Sequence, residues 1–148
     1  MTESTEAPSE PSADEALRDA WAGAERMRAR MQAHVIGAFA RIPQVGLAHA
    51  IYNLPLLLAC DVLRQALAHQ KRQRLFKAKG NSLGQLMESA RDALQWIDYE
   101  GMRQVVVRRN AIAHDGLLFE AEVCLADIAR IEAQLRAWGI LNSDAATL

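Results

Sequence analysis

Apolar residues recur at intervals of three and four along most of this chain, and that spacing constrains its fold more than any other feature. Side chains three or four residues apart lie on one face of an α-helix, so a sustained row predicts an amphipathic helix. The clearest row predicts a helix from about Ala13 to just before Pro43. It consists of Leu17, Trp21, Ala24, Met27, Met31, Val35, Ala38 and Ile42.

Turn and capping residues divide the rest of the chain into four further predicted helices. They cover roughly residues 44–70, 83–94, 99–114 and 119–138. Pro55 either kinks the second helix or marks a fresh start, because proline removes a backbone donor. Ser82 and Gln85 form a capping box for the third helix, and Asp98 caps the fourth. Asp-Gly at 115–116 ends the fourth helix, since glycine tolerates a positive φ.

The composition favours an all-α protein. Ala and Leu are abundant, and aromatic residues make up only 5% of the 148 residues, while runs of β-branched residues are scarce. The hydrophobic fraction of 51% is sufficient for the core of a single domain. We predict an up-and-down bundle of four to five helices over residues 14–139. A disordered acidic tail at 1–13 and a frayed C-terminal tail at 140–148 flank it.

The sequence also favours a cytoplasmic protein that makes no contact with a membrane. The apolar stretch 51–63 is too short to span a bilayer and contains Asn53 and Asp61. The start of the chain is acidic and polar, unlike a secretory signal peptide.

We predict no metal site and no cofactor. Cys60 and Cys124 both lie in apolar helical rows, which favours reduced core thiols over a disulfide or metal ligands. His49 and His69 have no Cys or His partner at ligand spacing.

Charge is distributed unevenly along the chain. Residues 1–15 hold five of the 18 acidic residues and no basic one, so the remainder carries all 17 basic residues against 13 acidic ones. Six basic residues and no acidic residue lie between Asp61 and Glu88. This stretch is compatible with binding to a nucleic-acid backbone and equally compatible with a solvated loop. Its candidate RNA ligands are Lys71, Arg72, Arg74, Lys77 and Lys79.

Three polar residues, Arg109, Asn110 and His114, stand near the end of the fourth predicted helix. Asn110 and His114 are four apart and share a face, whereas Arg109 lies about 100° away. Arg109 falls on a row that faces a core or an interface, where a charge is costly unless it is paired or meets an anion. In one interpretation Arg109 pairs with a carboxylate of a neighbouring helix and His114 is a capping residue. The other members of the row are Met102, Val105, Val106 and Ala113.

The order of Arg, a polar residue, three further residues and His at the end of a helix resembles the signature of the HEPN superfamily. Its members are helical-bundle proteins that include many RNA-cleaving toxins, and the similar helical layout covers roughly residues 14–139. The resemblance implies a homodimer whose two motif helices line a shared cleft. It also implies RNA cleavage without a metal, leaving a cyclic phosphate, with Arg109 and His114 as the catalytic pair and Asn110 as their polar assistant.

The chemistry of RNA cleavage suits these residue types. Attack of a ribose 2′-OH on its own phosphate needs a base, an acid for the leaving oxygen and a cation at the phosphate. His114 can be the base in one protomer and the acid in the other, while Arg109 binds the non-bridging oxygens. Arg103 and Arg108 of the same helix are further candidate RNA ligands. We therefore predict a metal-independent endoribonuclease that acts as a toxin or defence effector.

One position departs from the pattern of some HEPN toxins. They carry a tyrosine two residues after the histidine, which a nucleotidyltransferase antitoxin modifies, whereas this chain has Gly116. Inhibition by modification of that tyrosine is therefore not expected, whereas inhibition by an antitoxin that simply binds is still possible. The alternative function is a non-catalytic helical dimer or interaction module, which binds a nucleotide, RNA or a partner protein.

Overall fold

Five helices form most of the computed structural model, which describes residues 11–39 and 51–141. They are α1 (Ala13–Phe39), α2 (Asn53–Arg72), α3 (Leu83–Ala90), α4 (Tyr99–Asp115) and α5 (Ala121–Ala137). No strand occurs among the described residues, so the predicted all-α bundle is confirmed. The predictions for residues 1–10, for 40–50 with the start of the second helix, and for 142–148 lie outside the described residues.

The central helix of the bundle is α2, which packs against each of the other four helices. Leu56, Leu63 and Leu67 on α2 are fully buried. Burying one such side chain contributes about 1.5–3 kcal/mol relative to leaving it exposed. The central position explains why residues 51–60 are apolar on nearly every side.

Three contacts fix the directions of the helices around α2. His69 near the end of α2 lies 3.9 Å from Asp14 at the start of α1, so these two helices are antiparallel. Asn53 at the start of α2 bonds to Phe119 just before α5. Gln134 near the end of α5 bonds to the segment that leads into α4. The four long helices therefore alternate up and down, with the short α3 between α2 and α4.

Local capping residues set the helix starts as the sequence predicts. The hydroxyl of Ser82 accepts a hydrogen bond from the N–H of Gln85, whose side chain accepts one from the N–H of Ser82, so the capping box is confirmed. Asp98 accepts from the N–H of Gly101 at the start of α4. Pro55 is the third residue of α2, where its missing N–H costs no hydrogen bond. It marks a fresh start of the helix and not a kink.

Several predicted boundaries are corrected. Residues 51–52 form a turn and not part of the second helix, and α3 ends at Ala90, before the predicted residue 94. Met27, predicted in the core row, is 40% exposed, whereas Arg28, about 100° away on the same helix, lines a cleft with Pro55 and Ala59 of α2. Ile140 and Leu141, predicted as part of a frayed end, are buried.

The two cysteines are buried and unpaired, as the sequence predicts. Burial raises the pKa of Cys60 from 9.0 to about 12 and that of Cys124 from 9.0 to about 11. Both therefore stay protonated at neutral pH and behave as small apolar core residues. A separate finding concerns membranes: within the described ranges, none of the helices combines the length and apolar character needed to cross a bilayer.

Candidate functional site

The motif residues lie at the end of α4, where the chain turns toward α5. Gly116 adopts the left-handed conformation, with a φ of 64°, which glycine takes without steric cost. The backbone N–H groups of Gly116 and Leu117 both donate to the carbonyl of Ala111, which closes the last turn of the helix. The predicted stop is confirmed, and Asp115 is the last helical residue.

Asn110 and His114 are both exposed on this last part of α4. They lie one turn apart, which corresponds to about 6 Å along the helix axis. Val107, which is 54% exposed, and the exposed Arg103 continue the same row toward the start of the helix. The whole face is therefore available to solvent, to a ligand or to another chain.

Arg109 is half-buried between this open face and the core. Its Nη1 donates to Oδ1 of Asn110 over 3.1 Å, and its charge reaches Cys60 of α2, where it opposes the burial that raises the pKa of the thiol. No carboxylate among the described residues lies within ion-pair distance of its guanidinium. The cation is thus held beside Asn110 without an acidic partner in the part of the chain that the structure describes.

The ion pair expected for Arg109 is formed by its neighbour instead. Arg108 donates from Nε and Nη2 to the two carboxylate oxygens of Asp127 on α5, over 2.6 and 2.7 Å. The side chain of Asp127 is only 2% exposed, and its hydrogen bonds raise the pKa of Arg108. Arg130 adds a second cation 3.7 Å from Asp127. Arg108, predicted as an RNA ligand, is therefore a structural residue that joins α4 to α5.

Three buried polar side chains that the sequence analysis missed hold the segments around α4. Asn53 donates to the carbonyl of Phe119 over 3.0 Å and accepts from its N–H over 2.9 Å. Gln134 accepts from the N–H of Ile97 over 2.9 Å. Gln134 therefore holds the segment before α4 and Asn53 holds the segment after it. Asp127 holds the helix itself through Arg108. The signal for two of them is present in the sequence, because Asp127 and Gln134 lie in the apolar row of α5.

Exposed apolar side chains surround the motif. Val107, Leu117 and Leu118 are 54%, 55% and 64% exposed. Leu54 is 46% exposed and follows Asn53, which holds the loop containing Leu118. We call these four residues the motif-end patch. Contiguous apolar surface beside polar residues is typical of an interaction site.

Residues 71–79, which we call the basic connection and which are predicted to bind RNA, lie at the other end of the bundle. Lys71 and Arg72 occupy the last turn of α2, whereas Asn53, beside the motif end, begins it. The 20 residues of α2 separate the two regions by about 28 Å. Lys71 donates to Asn81 over 2.9 Å. The remaining predicted ligands, Arg74, Lys77 and Lys79, are exposed.

No metal site is evident in the described ranges, where no three His, Cys, Asp or Glu side chains gather. Comparison of the chain with protein-family models, with curated proteins and with solved structures gives no match. The motif residues supply a guanidinium, an amide and an imidazole within the last two turns of α4, and the guanidinium has no acidic partner among the described residues.

Proposed function

We propose that this chain is a metal-independent endoribonuclease and that Arg109, Asn110 and His114 carry the reaction. The observation that supports this most is the state of Arg109. Its guanidinium is held 3.1 Å from Asn110 with no described carboxylate to neutralise it, while the adjacent Arg108 is fully engaged by Asp127. A positioned cation beside an exposed imidazole suits an anionic substrate such as a phosphodiester.

The roles follow from the requirements of transesterification. His114 removes the proton from the ribose 2′-OH, which attacks the adjacent phosphorus as the bond to the leaving 5′-oxygen breaks. Arg109 binds the non-bridging oxygens, on which negative charge builds up in the transition state. Asn110 orients the guanidinium through its Oδ1. The products are a 2′,3′-cyclic phosphate and a free 5′-hydroxyl.

The leaving oxygen needs a proton, and we infer that His114 of a second copy supplies it. A homodimer with the two α4 helices facing each other brings both imidazoles to one cleft. The motif-end patch supports this arrangement, because Val107, Leu117 and Leu118 expose apolar surface on the same end as His114. Burying that surface between two copies would favour association.

An RNA-cleaving enzyme of this kind fits a toxin or defence effector acting in the cytoplasm. Its control requires a partner that binds and covers the site, since Gly116 occupies the position at which some HEPN toxins are modified. We propose a protein antitoxin that acts by binding alone.

The test incubates purified protein with mixed cellular RNA, with and without EDTA. We expect cleavage in both samples, because the acid, the base and the cation are all side chains. A defined RNA with a single 2′-deoxy substitution at the cut site should resist cleavage, since the nucleophile is absent. Cleavage of that substituted RNA, or products with a 3′-hydroxyl, would contradict the mechanism. No cleavage of any RNA by the dimer would favour the non-catalytic interaction module.

A further inference from the structure

A pocket of about 250 Å³ lies between α3 and α4, away from the motif end. Its apolar lining comes from Met87 and Val106, which are 2% and 7% exposed. Tyr99 forms a wall and is itself packed edge-on against Trp96, with the ring centroids 5.3 Å apart. Gly84 stands at its border on α3. We call this site the α3–α4 pocket.

The polar residues of the α3–α4 pocket are mostly cationic. The guanidinium of Arg91 lies over the ring of Tyr99, 5.1 Å from its centroid. Arg103 lies across the pocket and forms one loose ion pair, 3.6 Å long, with Glu100. Both side chains of that ion pair are more than half exposed. The guanidinium of Arg103 is therefore still accessible to a ligand. Glu88 is the acidic residue of the lining.

An apolar floor with an aromatic wall and two guanidinium groups matches the chemistry of a nucleotide. Bases of single-stranded RNA stack on aromatic rings and on arginine planes, and their phosphates take hydrogen bonds from arginine. Arg91 offers a plane already stacked on Tyr99. Arg103 offers donors for the phosphate beside that base.

One row of α4 connects the α3–α4 pocket to the motif. Arg103, Val107, Asn110 and His114 share a face of the helix, and all four are exposed. Seven residues separate Arg103 from Asn110, which corresponds to about 10 Å, and eleven separate it from His114, or about 16 Å. Stacked nucleotides of one strand advance about 3.4 Å each. The distance from Arg103 to the motif residues therefore corresponds to roughly three to five nucleotides.

We propose that the α3–α4 pocket is a subsite for single-stranded RNA, which binds one nucleotide roughly three to five positions from the cleaved bond. This inference rests on the proposed function, because it places the cleaved bond at His114. It predicts that the enzyme selects substrates by length: an RNA of ten nucleotides reaches the subsite, whereas a dinucleotide does not.

Two substitutions test the subsite by different means. Gly84→Trp places a bulky ring at the border of the pocket without a change in charge, and a Cβ added at Gly84 meets no heavy atom within 4 Å. Gly84→Ala is its matched control. Arg103→Ala removes the proposed phosphate contact, and Arg26→Ala, at an exposed arginine of α1, is the control for loss of one positive charge.

Binding is measured by fluorescence anisotropy with a ten-nucleotide RNA, in the His114→Ala background so that the RNA stays intact. We expect Gly84→Trp to weaken binding roughly tenfold, as for the loss of one stacked base, and Gly84→Ala to have no effect. Arg103→Ala should lower the slope of log affinity against log salt by about 0.7, whereas Arg26→Ala should leave it unchanged.

The outcomes separate this inference from the proposed function. RNA binding that depends on Gly84 and Arg103, without cleavage by the wild-type protein, would support the subsite and overturn the ribonuclease. Cleavage of the ten-nucleotide RNA at equal rates by wild type, Gly84→Trp and Arg103→Ala would overturn the subsite and leave the ribonuclease standing. Equal affinity of all variants for RNA would also overturn the subsite.

Discussion

Arg108 and Arg109 are adjacent in sequence, but helical geometry points them about 100° apart, toward different surroundings. Arg108 forms a two-bond fork with the buried carboxylate of Asp127. Arg109 keeps one hydrogen bond, to Asn110. The spacing of the sequence predicts that one arginine pairs with a neighbouring helix. It cannot tell which, because that depends on the rotation of α4 about its axis in the bundle.

Stability should distinguish the two arginines. We expect Arg108→Ala to lower the free energy of unfolding by about 3–5 kcal/mol, because it leaves Asp127 buried with only the longer contact to Arg130. Arg109→Ala should lower it by less than about 0.5 kcal/mol, as for an ordinary partly exposed position. Urea denaturation measures both values. Equal losses for the two variants would show that Arg109 is also a structural residue.

The buried thiol of Cys60 predicts a loss of stability at alkaline pH. Its pKa is raised from 9.0 to about 12 in the folded protein, so the unfolded chain releases the proton first. Below pH 9 both states keep the proton and the stability is fully present; above pH 9 it falls as pH rises. When the pH rises from 7 to 10, the free energy of unfolding should fall by about 1 kcal/mol less in Cys60→Ala than in wild type. Urea denaturation at the two pH values measures this difference. An identical pH dependence in the two proteins would contradict the assignment.

At the scale of elements, α4 is held by side chains from two other helices. Asp127 and Gln134 belong to α5, and Asn53 belongs to α2. Asn53 bonds both backbone groups of Phe119, so it fixes the loop that follows His114. The position of the imidazole therefore depends on a residue more than 60 positions earlier in the chain.

Removal of the Asn53 side chain should loosen that loop. We expect Asn53→Ala to lower the free energy of unfolding by about 1–3 kcal/mol, because Phe119 loses the partners of its part-buried N–H and carbonyl groups. Amide hydrogen exchange in residues 117–120 should rise more than in α3. Leu75→Ala, at a side chain that is 53% exposed near the other end of α2, is the control and should leave that exchange unchanged. Protection of the loop in Asn53→Ala equal to wild type would contradict the role of Asn53.

Local signals in the sequence predict helix ends better than they predict the polar contacts between helices. The capping box at Ser82, the cap at Asp98 and the stop at Gly116 involve residues within a few positions of each other, so their spacing is sufficient. The partners of Asn53 and Asp127 lie on other elements. A polar residue in an apolar row signals a buried contact, but the partner becomes known only from the packing.

At the scale of the whole molecule, the motif end and the basic connection lie at opposite ends of α2. The stretch from Lys71 to Lys79 is far from the motif both in the sequence and in the fold. The distribution of charge along the sequence does not predict this separation in space. An RNA that contacts both regions of one protomer must span about 28 Å. The α3–α4 pocket is the nearer cationic surface, since Arg103 shares a helix face with His114.

Assembly should depend on the motif-end patch. We expect Val107→Lys combined with Leu118→Lys to convert the proposed dimer to a monomer in sedimentation velocity, because each copy would bury two charges at the interface. RNA cleavage should be lost while the circular dichroism spectrum stays helical. Leu75→Lys is the control, since Leu75 is 53% exposed in the basic connection at the other end. A dimer that survives the double substitution would place the interface elsewhere.

The single-turnover rate of RNA cleavage by His114→Ala, relative to wild type, tests the central claim most directly. His114 is exposed and is absent from the core cluster of the described residues, so its removal should leave the fold unchanged. Loss of general acid–base catalysis predicts a rate lower by a factor of about 10² to 10⁴, and Arg109→Ala predicts a loss of about 10² to 10³. If His114→Ala cleaves RNA as fast as the wild-type protein, the end of α4 is not a ribonuclease site.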